Sequence, residues 1–244
     1  QRPKLESAAL SRGYAICYPQ GVADPKGKNS WNVGYPSQEG MKTDDVAFML
    51  HLSKHLCKKY GLGRDNVFLG GSSNGGEMCY IMAYSHPKAF AAIASMAGLQ
   101  MGWTLEKLHP KGSVPFMEVH ATADKTSRWE GDPTNQYGWG VYLGVPAAVS
   151  NIVSMNKCIR YGKKLCEPCF EGGPQYIEHL YDLGTGGTEV VFYEVIGSSH
   201  RTAFKDVNAQ DKMLDFFSRL NIRYFKLDSM QLTSALAYRR NRQM

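Results

Sequence analysis

A serine in a glycine-rich segment is the clearest candidate for chemistry in this sequence. Ser73 lies in Gly71-Ser72-Ser73-Asn74-Gly75, a Gly-x-Ser-x-Gly spacing between an apolar run and a helical pattern. A nucleophilic serine in this setting needs a tight, strained turn, and the glycines leave room for a strand and a helix to cross. The amide of Asn74 and the positive end of the following helix would stabilise an oxyanion. The segment therefore predicts a nucleophilic Ser73, with an ordinary strand-to-helix turn as the alternative.

The turn predicts two partners for Ser73, an aspartate and then a histidine, each after a later strand. Asp124 follows the apolar run at 114–120, and His200 follows the run at 190–196. His200 would accept the Ser73 proton, and Asp124 would fix the imidazole tautomer and stabilise its charged form. The alternative is that Asp124 is a turn former and His200 an ordinary loop residue. Chain order and strand context favour a catalytic triad of Ser73, Asp124 and His200.

Short apolar runs alternate with helical patterns, which predicts an α/β fold with a mostly parallel sheet flanked by helices. The predicted strands are at 14–18, 67–69, 91–96, 114–120 and 190–196. One helix is expected from Thr43, its N-cap, to a stop at Gly61, a second from just after Ser73 to before Pro87, and a third at about 208–220. We expect one α/β domain at 1–220 and a basic tail at 221–244.

Residues 125–188 differ from the rest of the chain because Gly and Pro are frequent there. The segment has one helical pattern, at about 147–159, and is interpreted as an insertion or cap on the sheet. It also holds Cys158, Cys166 and Cys169, with His179 nearby. A disulfide inside the cap is expected if the protein is exported. A zinc site is a weaker alternative, because the paired Cys-x2-Cys repeats of strong zinc motifs are missing.

The other cysteines, Cys17, Cys57 and Cys79, lie in apolar stretches that predict buried thiols.

Composition and charge exclude several classes of protein. The 244 residues are 43% hydrophobic and 20% charged, which excludes a disordered chain or a coiled coil. No stretch approaches the roughly 18 consecutive apolar residues of a membrane helix. The tail at 221–244 has five basic residues and one acidic residue, so it carries +4 of the net charge of +6. The basic balance therefore describes a tail and does not indicate a nucleic-acid partner.

Tryptophans are the candidates for substrate contact. Trp31, Trp103 and Trp129 each follow a strand run, on the edge where open α/β sheets bind ligands, and Trp139 lies in the cap. Trp103 and Trp129 could form an apolar platform for an aromatic acyl group or a polymer chain. A buried structural role is an equally weighted alternative for both, and the favoured interpretation for Trp31.

Several separate motifs, in order along residues 8–218, resemble the polyhydroxybutyrate depolymerase and feruloyl esterase group of α/β-hydrolases. They are Tyr-Pro-Gln-Gly at 18–21, Trp-Asn-Val-Gly at 31–34, Asp-Asp-Val-Ala-Phe at 44–48, Gly-Ser-Ser-Asn-Gly-Gly at 71–76, Phe-Ala-Ala-Ile-Ala at 90–94 and His-Ala-Thr-Ala-Asp at 120–124. The resemblance implies the α/β-hydrolase fold and a secreted serine hydrolase of carboxylic esters, with Ser73, Asp124 and His200 as triad. The implied substrates are feruloyl or acetyl esters of polysaccharides or a polyhydroxyalkanoate-type polyester. No metal, cofactor, nucleic acid or membrane partner is expected.

The sequence departs from this group in its first residues. The group usually carries His-Gly at a strand end before the first strand predicted here, supplying a second oxyanion amide, whereas the first histidine of this chain is His51. Residues 1–12 instead look like the helix that would follow, so we expect the N-terminal strands of the fold to be missing. Ala121 and the segment Gly-Ser-Ser-His-Arg at 197–201 also replace the group's usual residues. Losing one oxyanion donor removes roughly 2.7 to 4 kcal/mol of transition-state stabilisation, so the reaction would be slow or absent. The second hypothesis is therefore a catalytically silent α/β-hydrolase that binds esters or glycans.

Overall fold

The computed structural model describes residues 2–110 and 112–220. Its helices are α1 (Arg2–Ser11), α2 (Asp45–Tyr60), α3 (Asn74–Ser85), α4 (Gly102–Lys107), α5 (Val145–Asn156), α6 (Ala203–Asp206) and α7 (Ala209–Arg219). Its strands are β1 (Val22–Ala23), β2 (Asn29–Ser30), β3 (Phe68–Ser72), β4 (Ala92–Met96), β5 (Phe116–Ala121), β6 (Arg160–Cys166), β7 (Tyr176–Asp182) and β8 (Val190–Val195).

One six-stranded sheet, in the order β3-β4-β5-β8-β7-β6, forms the centre of the fold. The strands β3, β4, β5 and β8 run parallel, and β7 and β6 continue the sheet antiparallel. The carboxyl ends of the parallel strands meet at one edge of the sheet, where open α/β sheets bind their ligands. The prediction of a mostly parallel sheet flanked by helices is confirmed.

Alternating side chains of the strands divide the core into two layers. On β5, Phe116 belongs to the layer shared with α3 and α5, whereas Met117 belongs to the layer shared with α6 and α7. Both side chains are fully buried. In a sheet covered on both faces, the side chains on both faces of a central strand are buried, because neither face meets water.

The helix ends follow from their capping residues. α2 begins at Asp45 with Asp44 as its N-cap, whose Oδ1 accepts a hydrogen bond of 2.8 Å from the amide of Ala47. The prediction of Thr43 as N-cap is wrong by one residue. A carboxylate at this position also interacts favourably with the positive end of the helix dipole. Gly61 ends the helix at φ +64, as predicted.

The apolar run at 14–18 forms no strand, although its composition predicts one. Tyr14 packs edge-on against Phe68 of β3, with ring centroids 5.7 Å apart. A strand needs backbone pairing with a neighbour, which apolar composition does not specify. Cys17 in this run is exposed, contrary to the prediction, whereas Cys57 and Cys79 are buried as predicted.

The segment at 125–188 is more closely joined to the sheet than an added cap would be. It supplies α5, near the helix predicted at 147–159, and the hairpin of β6 and β7 that extends the main sheet. From its earlier part, Thr126, Ser127 and Trp139 lie beside Ser73, at the carboxyl end of β3. The basic tail predicted at 221–244 lies outside the described residues.

Helix α3 crosses β3 and β4 at very short distance. A β-carbon on Gly71 would lie 2.2 Å from the carbonyl oxygen of Gly75, and one on Gly76 would lie 2.8 Å from Cα of Gly98. These contacts involve backbone, which cannot move aside as a flexible side chain can. Glycine is therefore required at this crossing.

We expect Gly76→Ala to lower the free energy of unfolding by about 2 kcal/mol, as overpacking a core does. A loss of stability would point to the close crossing, because helix propensity alone predicts the opposite change: alanine inside a helix usually stabilises by about 1 kcal/mol relative to glycine. Urea unfolding measures the change. Gly162→Ala is the matched control, since a β-carbon there meets nothing within 4 Å. Equal stability of the two variants would contradict the close crossing.

Candidate active site

Ser73 connects β3 to α3 in a strained backbone conformation. Its φ is +52° and its ψ is −122°, a region that residues other than glycine rarely adopt. Its amide donates to the carbonyl of Met96 at 2.8 Å, and its carbonyl accepts from the amide of Glu77 at 3.0 Å. The turn is thus fixed to β4 on one side and to α3 on the other, and it projects the hydroxyl from the strand end.

The three side chains predicted as a triad form a hydrogen-bonded series with His200 in the middle. Nε2 of His200 is 3.1 Å from Oγ of Ser73, and Nδ1 of His200 is 2.7 Å from Oδ2 of Asp124. The Asp124 side chain is fully buried, and that of His200 is 18% exposed. The arrangement has the order and geometry in which a carboxylate orients an imidazole toward a hydroxyl.

The loop after β5 fixes the Asp124 carboxylate. Oδ1 accepts the amides of Thr126 and Ser127 at 2.7 and 2.9 Å, which leaves Oδ2 directed at His200. The loop after β8, which carries His200, is hydrogen-bonded to the Asp124 loop, because the amide of Ala123 donates to the carbonyl of Ser198 at 3.2 Å. This bond keeps the two loops, and with them the aspartate and the histidine, close together.

Asn74 is the first residue of α3, so its amide is one of the first amides that a helix leaves without an intrahelical partner. This position suits the oxyanion donor predicted from the sequence. Its side chain is hydrogen-bonded to the backbone of Trp31: Oδ1 accepts the Trp31 amide at 2.7 Å, and Nδ2 donates to the Trp31 carbonyl at 3.0 Å.

The first residues of the chain form the helix that the sequence predicted for 1–12. The structure places α1 at Arg2–Ser11.

A cavity of about 230 Å³ opens beside the Ser73 hydroxyl. Tyr35, Glu77, Leu99 and Trp139 are among the residues that line it. Exposed Lys26 and Lys28, Asp24 and several small polar residues complete the lining. The cavity therefore combines aromatic walls with polar groups.

The structure places Trp103 and Trp129, the predicted substrate-binding residues, against the core. Nε1 of Trp103 donates to the carbonyl of Val33 at 2.9 Å. The ring of Trp129 stacks on that of Phe192, with ring centroids 5.8 Å apart. Neither residue lines the cavity beside Ser73. The structural alternative fits both residues, and Trp139 is the tryptophan that lines the cavity.

Glu77 and Tyr35 form a buried hydrogen-bonded pair that the sequence patterns did not predict. The Tyr35 hydroxyl donates to Oε2 of Glu77, and the two residues are 8% and 1% exposed. Burial raises the pKa of Glu77 to about 8, although the hydrogen bonds from Tyr35 and Asn74 act in the opposite direction. Burial, together with the charge of Glu77, also raises the pKa of Tyr35. Burial therefore favours the protonated form of Glu77 in the folded protein.

The three clustered cysteines occupy two places in the structure: Cys166 and Cys169 both lie beside Tyr176, whereas Cys158 packs against the other core layer. Cys158 follows α5, Cys166 ends β6, and Cys169 lies in the β6–β7 connection. All six cysteines are free thiols, so the expected disulfide is not formed here. His179 is bound instead to Glu194, at 3.0 Å. In the described part of the chain, no group of three or more His, Cys, Asp or Glu side chains is arranged to hold a metal ion.

Comparisons with known proteins relate this chain to esterases. It is 30% identical over 130 residues to the putative esterase NocK of Nocardia uniformis, a match that covers 52% of this chain and 36% of the relative. It is 29% identical over 98 residues to feruloyl esterase B of Neurospora crassa, covering 39% and 32% of the two chains. It is 29% identical over 103 residues to acetylxylan esterase of Coprinopsis cinerea, covering 41% and 26%. The matches span about a third of the relatives' lengths. No family model matches the chain.

Solved structures support the fold. SOBER1 of Arabidopsis thaliana, in a variant form, superposes with a TM-score of 0.50 at 15% identity, covering 88% of this chain and 93% of that one. YahD, solved with malic acid, gives a TM-score of 0.51 at 13% identity, covering 88% and 85%. The chain has the α/β-hydrolase fold, and its sequence is similar to that of esterases. The resemblance stated from the sequence motifs is confirmed.

We expect Glu77→Gln to change how stability depends on pH. Since folding raises the pKa of Glu77 from 4.5 to about 8, the native protein holds a proton that the unfolded chain releases. Stability should therefore fall as pH rises between these two values, by an amount on the order of several kcal/mol. Glutamine carries no such proton, so the variant should lose less stability over this range.

Urea unfolding at pH 5, 7 and 8.5 measures the difference between the two proteins. Glu106→Gln, at an exposed position on α4, is the control that should follow the wild type. If the free energies of unfolding of Glu77→Gln and wild type differed by the same amount at all three pH values, Glu77 would be ionised in the native protein.

Proposed function

We propose that this protein hydrolyses carboxylic esters through an acyl-enzyme on Ser73. The observation that carries the proposal is the unbroken hydrogen-bonded series from Ser73 through His200 to Asp124, placed at the strained turn between β3 and α3. Similarity to three esterases supports the same reaction class. We place the whole reaction in a catalytic domain at residues 1–220.

The residues have distinct roles in the proposed reaction. His200 takes the proton from the Ser73 hydroxyl as the oxygen attacks the ester carbonyl, and Asp124 stabilises the imidazolium that forms. The Asn74 amide and the N-terminal end of α3 stabilise the tetrahedral oxyanion. The intermediate collapses, the alkoxide leaving group takes the proton from His200, and the acyl group remains on Ser73. Water, deprotonated by His200, then releases the carboxylic acid and regenerates the serine.

The size of the cavity supports an acyl pocket. At about 230 Å³ it lies below the roughly 300–1,000 Å³ that sites for drug-sized ligands occupy. It therefore suits the acyl portion of an ester, and the alcohol portion would lie outside. We propose feruloyl or acetyl esters of polysaccharides as substrates, since two relatives are a feruloyl esterase and an acetylxylan esterase. A polyhydroxyalkanoate-type polyester is the further candidate from the motif resemblance.

Polysaccharide or polyester substrates would place the enzyme outside the cell, and we propose that the protein is exported. Within residues 2–110 and 112–220, no helix combines the length and the apolar character required to cross a bilayer.

We expect Ser73→Ala to lower the rate of 4-nitrophenyl acetate hydrolysis by at least about a thousandfold, because the nucleophile is lost while the fold is kept. Ser72→Ala is the matched control at the neighbouring, exposed serine of β3 and should retain most of the activity. Retention of full activity by Ser73→Ala would disprove the acyl-enzyme on this residue.

Labelling with a fluorophosphonate separates the proposal from a silent protein that only binds esters. An active enzyme should incorporate one label at Ser73, located by peptide mass spectrometry, and Ser73→Ala should incorporate none. A wild-type protein that stays unlabelled would favour the silent alternative.

A further inference from the structure

A second histidine, His120, lies next to the triad on β5, the strand that precedes the Asp124 loop. Nε2 of His120 is 2.8 Å from the carbonyl oxygen of Ser127 and 3.8 Å from Oδ2 of Asp124. Its Nδ1 is 3.1 Å from Oε1 of Glu118. The side chains of Glu118 and His120 have no solvent exposure. This His–Glu pair is therefore buried next to the carboxylate that contacts His200.

The partners of His120 favour a hydrogen on each nitrogen of its ring. A carbonyl oxygen only accepts hydrogen bonds, so Nε2 must carry a hydrogen toward Ser127. Nδ1 faces a carboxyl group, and a buried carboxylate is stable only when it is paired with opposite charge. Both conditions are met by an imidazolium that donates from both nitrogens. Burial lowers the pKa of His120, but the hydrogen bond and charge of Glu118, with the Ser127 carbonyl and Asp124, outweigh it and raise the pKa.

Ser127 links His120 to the aspartate of the triad through its backbone. Its amide donates to Oδ1 of Asp124 at 2.9 Å, while its carbonyl accepts from Nε2 of His120. The Ser127 peptide thus connects the His120 ring to the Asp124 carboxylate through two hydrogen bonds. In addition, its ring is 3.8 Å from the Asp124 oxygen that accepts the His200 hydrogen bond at 2.7 Å.

We propose that Glu118 and His120 form a positioning pair for the triad, in which His120 fixes the Asp124 loop through Ser127 and carries a positive charge behind the Asp124 carboxylate. This inference rests on the proposed function. A positive charge at this place opposes the formation of an imidazolium on His200, and the more distant charge of Glu118 cancels only part of that effect. The pair would thereby extend to lower pH the range in which His200 acts as a base.

Other titratable groups surround the pair and contribute to its electrostatics. Glu77, Cys79 and Tyr80 interact with it from α3, and Glu194 is the register neighbour of His120 on β8. The ring of Trp129, which does not titrate, lies near His120 with ring centroids 6.3 Å apart.

Glu118→Gln separates the charge of the pair from its geometry. A glutamine amide can donate to Nδ1 of His120, and the neutral ring can keep its Nε2 hydrogen bond to Ser127. We expect the acid limb of the pH profile of kcat/KM for 4-nitrophenyl acetate to move upward by about half a pH unit, with KM within twofold of wild type. Glu189→Gln is the control, since Glu189 pairs with Arg219 at 2.6 Å, outside the triad. It should leave the profile unchanged.

His120→Gln tests the same charge from the other side of the pair. Its amide can still reach Ser127 but carries no charge, so the acid limb should again move upward. His120→Ala loses the contact to the loop as well, and kcat should fall a further tenfold or more relative to His120→Gln. Glu118→Gln and His120→Gln profiles that both coincide with that of the wild type would overturn the proposal, whatever their stability.

Nitrogen-15 spectra of the histidine rings give a readout that needs no turnover. At pH 7, His120 should be doubly protonated in the wild type and singly protonated in Glu118→Gln. A neutral His120 ring in the wild type would also overturn the proposal. Failure of Ser73 to react with a fluorophosphonate would count against the proposed function alone, because the protonation of His120 is measured independently.

Discussion

The rest of the structure depends on the close crossing of α3 over β3 and β4. Only glycine at 71, 76 and 98 allows the backbones to come this near, and Ser73, at the turn into the crossing, has a positive φ. Such a conformation costs on the order of 1–3 kcal/mol and persists only when the surroundings impose it. Here the surroundings are the deeply buried body of α3, from Gly76 to Tyr84, which packs against the sheet. Core packing therefore maintains the strain that presents the serine hydroxyl.

The same burial concentrates ionisable groups beside the nucleophile. Glu77, Glu118, His120 and Asp124 are each at most 4% exposed. A low dielectric strengthens every interaction among them and makes any unpaired charge costly, so each group is paired or keeps its proton. Burial raises the pKa of Glu77 and so favours its neutral form, whereas Asp124 is compensated by two amides and two histidines. The site is thus a connected network, and a change in one carboxyl group will affect its neighbours.

The sequence predicted Ser73, Asp124 and His200 because their positions follow from strand ends and chain order, which local patterns reveal. It did not predict Tyr35 or Glu77, and it placed Trp139 only in the cap, because the cavity arises where the segments 24–38 and 126–139 pack over the strand ends. The hairpin of β6 and β7 was also missed. Most residues of β6 are exposed, so the strand lacks the apolar character on which the strand predictions relied. Trp103 and Trp129 follow strands as expected, but position at the sheet edge does not distinguish an indole packed on the core from one in the cavity.

Side-chain bonds, not a strand, attach the wall of the cavity to the nucleophile helix. Buried Gln38 accepts the amides of Val33 and Tyr35 and donates to the carbonyl of Trp31, which gives this irregular segment a defined shape. Asn74 binds the amide and the carbonyl of Trp31, and the amide of Asn74 itself is the proposed oxyanion donor. The wall that would contact the acyl group and the donor that would stabilise its transition state therefore belong to one hydrogen-bonded unit. A rearrangement of the wall would act on the proposed oxyanion donor through these bonds, which would couple substrate fit to the rate of the proposed reaction.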